Sequence, residues 1–340
     1  MSTLDDKILL SHGNGGLKMH ELIEKVFLRH FKNMILEEQS DAAILPENHH
    51  RMAFTTDSFV IDPIFFPGGN IGKLAICGTV NDLAVSGAVP LYISASFIIE
   101  EGFPMSDLET IVSSMAREAK NAGVLVVTGD TKVVNKGKCD KIFINTAGIG
   151  SMSMKDLSIS TAGNIKTGDV IIINGTMGDH GMAIMKAREN FNFKLPVISD
   201  CASLNLMIRE VLDRTEGVKF MRDPTRGGVA TVLNELAKKK GVGIELDESA
   251  LPVDQGVMAM CELLGFDPLY IANEGKVVIV ADPDECDKIL GIMKKNDLGI
   301  KSAVIGRIID DYPGKVLLKT SSGGHRFIDL LTGDPLPRIC

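Results

Sequence analysis

Five aspartates stand out for what surrounds them. Asp41 precedes two alanines, Asp57 lies in Thr55-Thr56-Asp57-Ser58, Asp82 in Asn81-Asp82-Leu83-Ala84, Asp130 in Gly129-Asp130-Thr131-Lys132 and Asp223 in Asp223-Pro224-Thr225-Arg226-Gly227-Gly228. Small and hydroxylic neighbours let a carboxylate cap a helix or close a turn, and each aspartate taken alone has that use. As a set, beside the glycine loop Gly13-Asn14-Gly15-Gly16, they offer the oxygen donors that Mg2+ takes when it bridges carboxylates to substrate phosphates. Alone, that loop reads as a flexible turn. A different chemistry resides in the last residue, Cys340, which follows Pro335-Leu336-Pro337-Arg338-Ile339. A terminal carboxylate beside a thiol raises its pKa and Arg338 offsets this only in part, so reactivity there depends on exposure and on a partner's site. Nine residue steps from Leu331 give an extended tail a reach of ~30 Å, enough to enter a site and leave it.

Other chemistries lose support. Pro67-Gly68-Gly69-Asn70-Ile71-Gly72-Lys73-Leu74 lacks both the first glycine and the closing hydroxyl of a phosphate-binding P-loop, and no GxGxxG follows a strand. Cys77, Cys139, Cys201, Cys261 and Cys286 are too far apart for a zinc or iron–sulfur knuckle and read as small buried hydrophobes in a reducing compartment. His12 precedes the glycine loop and lies within reach of a phosphate, whereas His20, His30, His49 and His50 read as surface or packing residues. A net charge of −8, with no basic block longer than Lys238-Lys239-Lys240, argues against nucleic acid or an anionic membrane as partner. No apolar run approaches the ~18 residues of a membrane span, and the first ten residues carry Asp5 and Asp6 where a signal peptide is basic, so a cytoplasmic protein is expected.

Strands and helices must carry these residues. Residues 52–60 alternate as a strand that delivers Asp57, residues 71–86 form a small-residue helix that delivers Asp82, and 91–99 form a second strand. A helix opened by Ser106 and Asp107 and closed by Gly123 follows, then strands over 124–128 and 141–149 joined by a polar loop, 129–140. Serine, glycine and lysine dominate 150–167, which reads as a boundary. Beyond it come strands at 169–174, 268–271, 276–280, 303–309 and 315–320 and helices at 181–189, 204–212, 229–240 and 283–295. The expected class is α+β: an N-terminal domain over 1–150, a C-terminal α+β domain over 151–330, each helix-on-sheet, and a mobile tail over 331–340.

The series Gly13 to Gly16, Ser40-Asp41-Ala42-Ala43, Thr55-Thr56-Asp57-Ser58, Gly78-Thr79-Val80-Asn81-Asp82-Leu83-Ala84, Gly129-Asp130-Thr131-Lys132 and Asp223-Pro224-Thr225-Arg226-Gly227-Gly228 resembles the aminoimidazole ribonucleotide synthetase superfamily over nearly the whole chain. Within it, the ending Pro337-Arg338-Ile339-Cys340 resembles one family closely, the hydrogenase maturation proteins HypE. The resemblance implies an N-terminal ATP-binding and dimerisation domain, a homodimer, and ATP with Mg2+ as cofactors. Gly13, Asn14, Gly15, Gly16, Asn81, Gly129, Asp130 and Thr131 are then the nucleotide residues and Asp41, Asp57, Asp82 and Asp223 the metal residues. It further implies that a partner carbamoyltransferase, HypF, loads Cys340 with a carbamoyl group, which ATP-driven dehydration turns into thiocyanate. Its cyano group passes to iron on a HypC–HypD complex and becomes a ligand of the nickel–iron hydrogenase centre. An amide oxygen leaves poorly until it is phosphorylated, and the N–H protons need a base. Lys132 and Glu274, the latter in Asn273-Glu274-Gly275-Lys276, are implied beside the modified cysteine. Lys132 reads equally as a phosphate-binding cation and Glu274 as a turn residue. The rivals are another enzyme of the superfamily, such as a selenophosphate synthetase or thiamin monophosphate kinase, and a nucleotide-gated scaffold whose tail only docks a partner. No cysteine precedes Cys77 near the glycine loop, where a selenophosphate synthetase usually carries its reactive residue.

Overall fold

The computed structural model describes residues 6–13, 17–37, 51–189, 195–330 and 338–340. A short helical arm leads in: α1 (Leu17–Leu22), a π-helical stretch (Ile23–Leu28), α2 (Arg29–Phe31) and α3 (Met34–Glu37). The first domain follows with β1 (Arg51–Phe59), the hairpin β2 (Phe65–Phe66) and β3 (Gly69–Asn70), α4 (Ile71–Val85), β4 (Ala88–Glu100), α5 (Met105–Ala122), β5 (Leu125–Val134) and β6 (Ile142–Met152). Its four strands pair in the order β1-β6-β4-β5, with β4 and β5 parallel and the other pairs antiparallel.

Local chemistry sets these elements. Asn70 caps α4 by accepting from the Gly72 and Lys73 N–H groups. In α5 the stripe Leu108, Ile111, Val112, Met115 and Ala119 is buried, and Gly123 ends the helix in the left-handed region. Both helices pack on the sheet, and α4 also touches the helix Asn205–Arg214 of the second domain, so nearly all its residues are buried. Gly78 shows how tight this is: a Cβ there would lie 2.9 Å from the Phe59 ring.

The second domain comprises β7 (Val170–Ile173), α6 (Asp179–Arg188), α7 (Asn205–Arg214), β8 (Val218–Arg222), α8 (Gly228–Lys240), β9 (Gly243–Asp247), α9 (Gln255–Leu264), β10 (Val278–Ala281), α10 (Cys286–Met293), β11 (Ala303–Ile309), β12 (Val316–Lys319) and β13 (His325–Ile328). Seven strands form one sheet in the order β13-β12-β9-β11-β7-β10-β8. Alternation divides its side chains: Ile171, Ile173, Val278 and Val280 pack against α8, while Ile172, Ile279 and Ala281 pack with α7 and α10. The first domain's core continues into Met182, Ala183, Val257 and Met260, so apolar packing joins the two domains.

Two expectations need correction. The stretch 129–140 is not all loop, because β5 runs on to Val134, its Asp130 and Lys132 exposed and Thr131 buried between them, as an edge strand permits. Residues 268–271 are not a strand; Pro268–Tyr270 is a 3-10 turn that Asp267 caps through the Leu269 N–H. The sequence reading also passed over β8, β9, α9 and β13.

Candidate active site

Four carboxyl groups from four elements face one another where the domains meet. Asp57 comes from β1, Asp82 from α4, Asp223 from the turn after β8 and Glu274 from the loop before β10. Thr55 Oγ1 donates to Asp82 Oδ2 at 2.8 Å, and the Ser58 N–H donates to Asp57 Oδ1 at 2.7 Å. Burial raises the pKa of Asp57 and of Asp82, the latter further through the charge of Asp57. Burial and the charge of Asp82 push Asp223 up to about 7. Glu274 is raised well above the usual carboxylate range by burial and then by Asp223, Asp200 and Asp57. Its side chain is buried and its Oε1 has no hydrogen-bond partner. Mutual repulsion and an orphaned buried oxygen suit this group to an all-oxygen site for positive charge. Among the described residues, no three metal-ligating side chains converge closely enough to hold an ion by themselves.

A second set of residues holds Glu274 in place. The carboxylate of Asp200 accepts from the N–H groups of Glu274 and Gly275, both at 3.1 Å, and from Lys276 Nζ at 3.0 Å. These bonds and the charge of Lys276 keep Asp200 below the usual carboxylate range despite its burial. Lys276 lies 3.7 Å from Asp179, whose own pKa burial pushes up to about 6. Gly275 permits the close passage, since a Cβ there would sit 1.9 Å from the Asp200 carbonyl oxygen. Asn81, expected at the nucleotide, is tied into this scaffold. Its Nδ2 donates to the carbonyls of Ala202 and Glu274, at 3.0 and 3.2 Å, and its Oδ1 accepts from the Leu204 N–H at 2.8 Å. A buried amide whose two donors are both committed has none left for a ligand.

The end of the chain is docked beside this site. The Val60 N–H donates to the Cys340 carbonyl oxygen at 3.1 Å and the Asp62 N–H to that of Arg338 at 3.3 Å, so residues 338–340 run antiparallel to the segment that extends β1. Arg338 Nε returns a bond to the Val60 carbonyl at 2.9 Å, and its Nη1 bonds Asp140 at 2.6 Å. Ile339 is buried in the first domain's core and Cys340 is half-buried against it. From α6, His180 Nε2 donates to the Ile339 carbonyl at 2.7 Å and Arg188 Nη2 to that of Arg338 at 2.9 Å. Residues 331–337, the rest of the expected mobile tail, lie outside the described residues.

Asp130 and Lys132 lie elsewhere. They form a 2.9 Å ion pair on the opposite face of the sheet from Asp57, both exposed, and the lysine holds the Asp130 pKa low. Asp57 pairs with Thr146, Thr146 with Ala95 and Ala95 with Gly129, so three strand spacings, roughly 14 Å, separate β1 from β5. Thr131 points to the core, and Gly129 is required by β4, because a Cβ there would meet the Ala95 carbonyl at 2.3 Å. Within one chain the nucleotide residues expected along β5 therefore do not join the carboxylates, and Lys132 does not join Glu274. Gly13 closes a 3-10 turn (Leu10–Gly13) in which His12 Nδ1 accepts from the Leu9 N–H, while Asn14, Gly15, Gly16 and Asp41 lie outside the described residues. His180, Ser199, Asp200 and Lys276 are the site residues that sequence reasoning missed. Only Lys276 carried a signal, as the neighbour of Glu274-Gly275.

Two linked α+β domains with acidic groups at their junction define an AIR synthase related protein: models of that group's N-terminal and C-terminal domains match residues 39–152 and 166–319. Carbamoyl dehydratase HypE of Rhodobacter capsulatus is 46% identical over 343 residues that span 100% of both chains. The crystal structure of hydrogenase maturation protein HypE in complex with ATP superimposes with a TM-score of 0.94 at 44% identity, covering 99% of this chain and 100% of that one. A chain of the HypE–HypF complex does so with a TM-score of 0.80 at 49% identity, over 91% of this chain and 99% of its own. The chain belongs to the carbamoyl dehydratase HypE family.

Proposed function

We propose that this protein dehydrates a carbamoyl group carried on its own Cys340 to a thiocyanate, at the expense of ATP, and so supplies cyanide for a nickel–iron hydrogenase centre. The observation that carries the reading is the docked tail: Cys340 bonds Val60, three residues beyond Asp57 of the acidic site to which Glu274 also belongs. In the reaction the amide oxygen departs within phosphate and both N–H protons are lost, leaving S–C≡N. Glu274, a buried carboxyl with one oxygen free of hydrogen bonds among the described residues, is the group we read as taking such a proton, once a bound cation offsets the neighbouring carboxylates. Asp57, Asp82 and Asp223 are the residues that would hold Mg2+ here, joined by Asp41, and the metal would supply charge to a transferring phosphoryl group.

The exposed sheet face of the first domain supports a homodimer through that domain. Met52, Phe54, Val89, Ile98 and Leu125 stand there exposed, Phe54 at 71%. Lys132 and Asp130 share the face, so a second copy seated on it would cover this pair as well. HypF is read as the carbamoyl donor, a HypC–HypD complex as the acceptor and the cytoplasm as the compartment. Among the described residues no helix is long and apolar enough to cross a membrane. The reading is tested by ATP turnover: hydrolysis should depend on a carbamoylated Cys340, and equal turnover by unmodified protein or by Cys340→Ala would favour the gated scaffold.

A further inference from the structure

The segment Ser199-Asp200 touches both halves of the proposed chemistry. On one side the Asp200 carboxylate receives the backbone N–H groups of Glu274 and Gly275, fixing the loop that presents Glu274. On the other, Ser199 Oγ lies 2.8 Å from His180 Nδ1, while His180 Nε2 lies 2.7 Å from the Ile339 carbonyl. A carbonyl only accepts, so Nε2 carries the proton in this bond; Nδ1 of the neutral ring then accepts from the serine hydroxyl. Ser199 Oγ in turn receives the Cys201 N–H at 3.1 Å. His180 is fully buried and stacked edge-on against Phe66 at 5.5 Å, so the ring has little freedom to turn.

We infer that His180 is a positioning residue, a latch oriented by Ser199 that holds the Ile339 carbonyl and thereby sets Cys340 in register with the Glu274 loop held by Asp200. Nothing in catalysis is asked of the imidazole itself. Its position explains why a half-buried tail of three residues is anchored through carbonyls rather than through its side chains alone: a carbonyl bond holds the chain whatever group the thiol carries. Arg188, two turns further along α6, secures the preceding carbonyl from the same helix face.

The consequence for the dehydration rests on the function proposed above, but the latch has a readout of its own. In the full-length protein without partners, the rate at which N-ethylmaleimide modifies Cys340 is followed by mass spectrometry of the C-terminal peptide, with Cys286 in α10 as internal reference. His180→Leu should speed Cys340 modification by about 3–10-fold, the range for losing one hydrogen bond, and leave Cys286 unchanged. His180→Gln, whose amide nitrogen reaches toward the same carbonyl, should restore the slow rate. Ser199→Ala, which spares the ring but frees its orientation, should give a smaller change of the same sign and serves if His180→Leu does not fold. With HypF, carbamoyl phosphate and ATP, His180→Leu should take up the carbamoyl group at least as fast as wild type and lose water more slowly. Equal alkylation of wild type and the folded variants, or a glutamine variant as fast as leucine, would overturn the latch. A wild type that forms no thiocyanate would defeat the function while the alkylation result still decides the latch.

Discussion

The two acidic regions of this protein behave oppositely. At the domain junction Asp57, Asp82, Asp223 and Glu274 are drawn from four elements, the aspartates half-buried and Glu274 buried, and burial with the charges among them raises their pKa values. On the far edge strand Asp130 sits in solvent beside Lys132 and is lowered. The first region costs folding free energy and is kept for a ligand; the second is a satisfied surface pair. The contrast teaches that one chain assembles the acidic half of the proposed site and leaves the Lys132 half on another face, roughly 14 Å away across the sheet.

The strongest way to break that contrast is complementation. Lys132→Ala and Glu274→Ala should each lose most dehydration, on the order of 10²–10⁴-fold, the worth of a positioned acid–base group. If a second copy supplies Lys132, mixed dimers of the two variants contain one site free of both substitutions and should recover a sizeable fraction of wild-type activity. If both residues act within one chain, every site of a mixed dimer is defective and the mixture stays as slow as its components.

Asp223→Asn sharpens the same contrast through stability. Its carboxyl is pushed up to about 7 in the fold against 3.8 for the ordinary group, so the native state holds that proton more tightly than the unfolded chain. The stabilisation from the bound proton is complete below about pH 4 and is lost as pH rises through about 7. The asparagine variant, which cannot ionise, should melt roughly 2–4 °C above ligand-free wild type at pH 8 and converge with it near pH 4. It should also bind Mg–ATP more weakly. A variant less stable than wild type at pH 8, with unaltered nucleotide affinity, would remove Asp223 from the site. The smallest effect belongs to Asp130→Asn: loss of an exposed ion pair worth at most ~1 kcal/mol should leave the melting temperature nearly unchanged.

Much of this was legible in the sequence because it is local. Alternation pointed to β1 and small residues to α4, while hydroxylic neighbours marked Asp57 and the Asn-Asp-Leu-Ala motif marked Asp82. What escaped depends on long-range contact. His180 gains its partners 19 and 159 residues away, and Lys276 meets Asp200 across 76 residues. Nor could the sequence show that the Asn81 amide donates to Ala202 and Glu274, far along the chain. The extent of β5 was missed because an edge strand with charged outer positions has the composition of a loop.

The central claim is that Cys340 is carrier and substrate at once. It is tested most directly by the mass of the C-terminal peptide, followed in time after mixing the protein with HypF, carbamoyl phosphate and ATP. The wild type should gain one carbamoyl group on Cys340 and then lose one water from that same peptide. Persistence of the carbamoyl group in the presence of ATP, or the appearance of cyanide from a Cys340→Ala protein, would contradict the account.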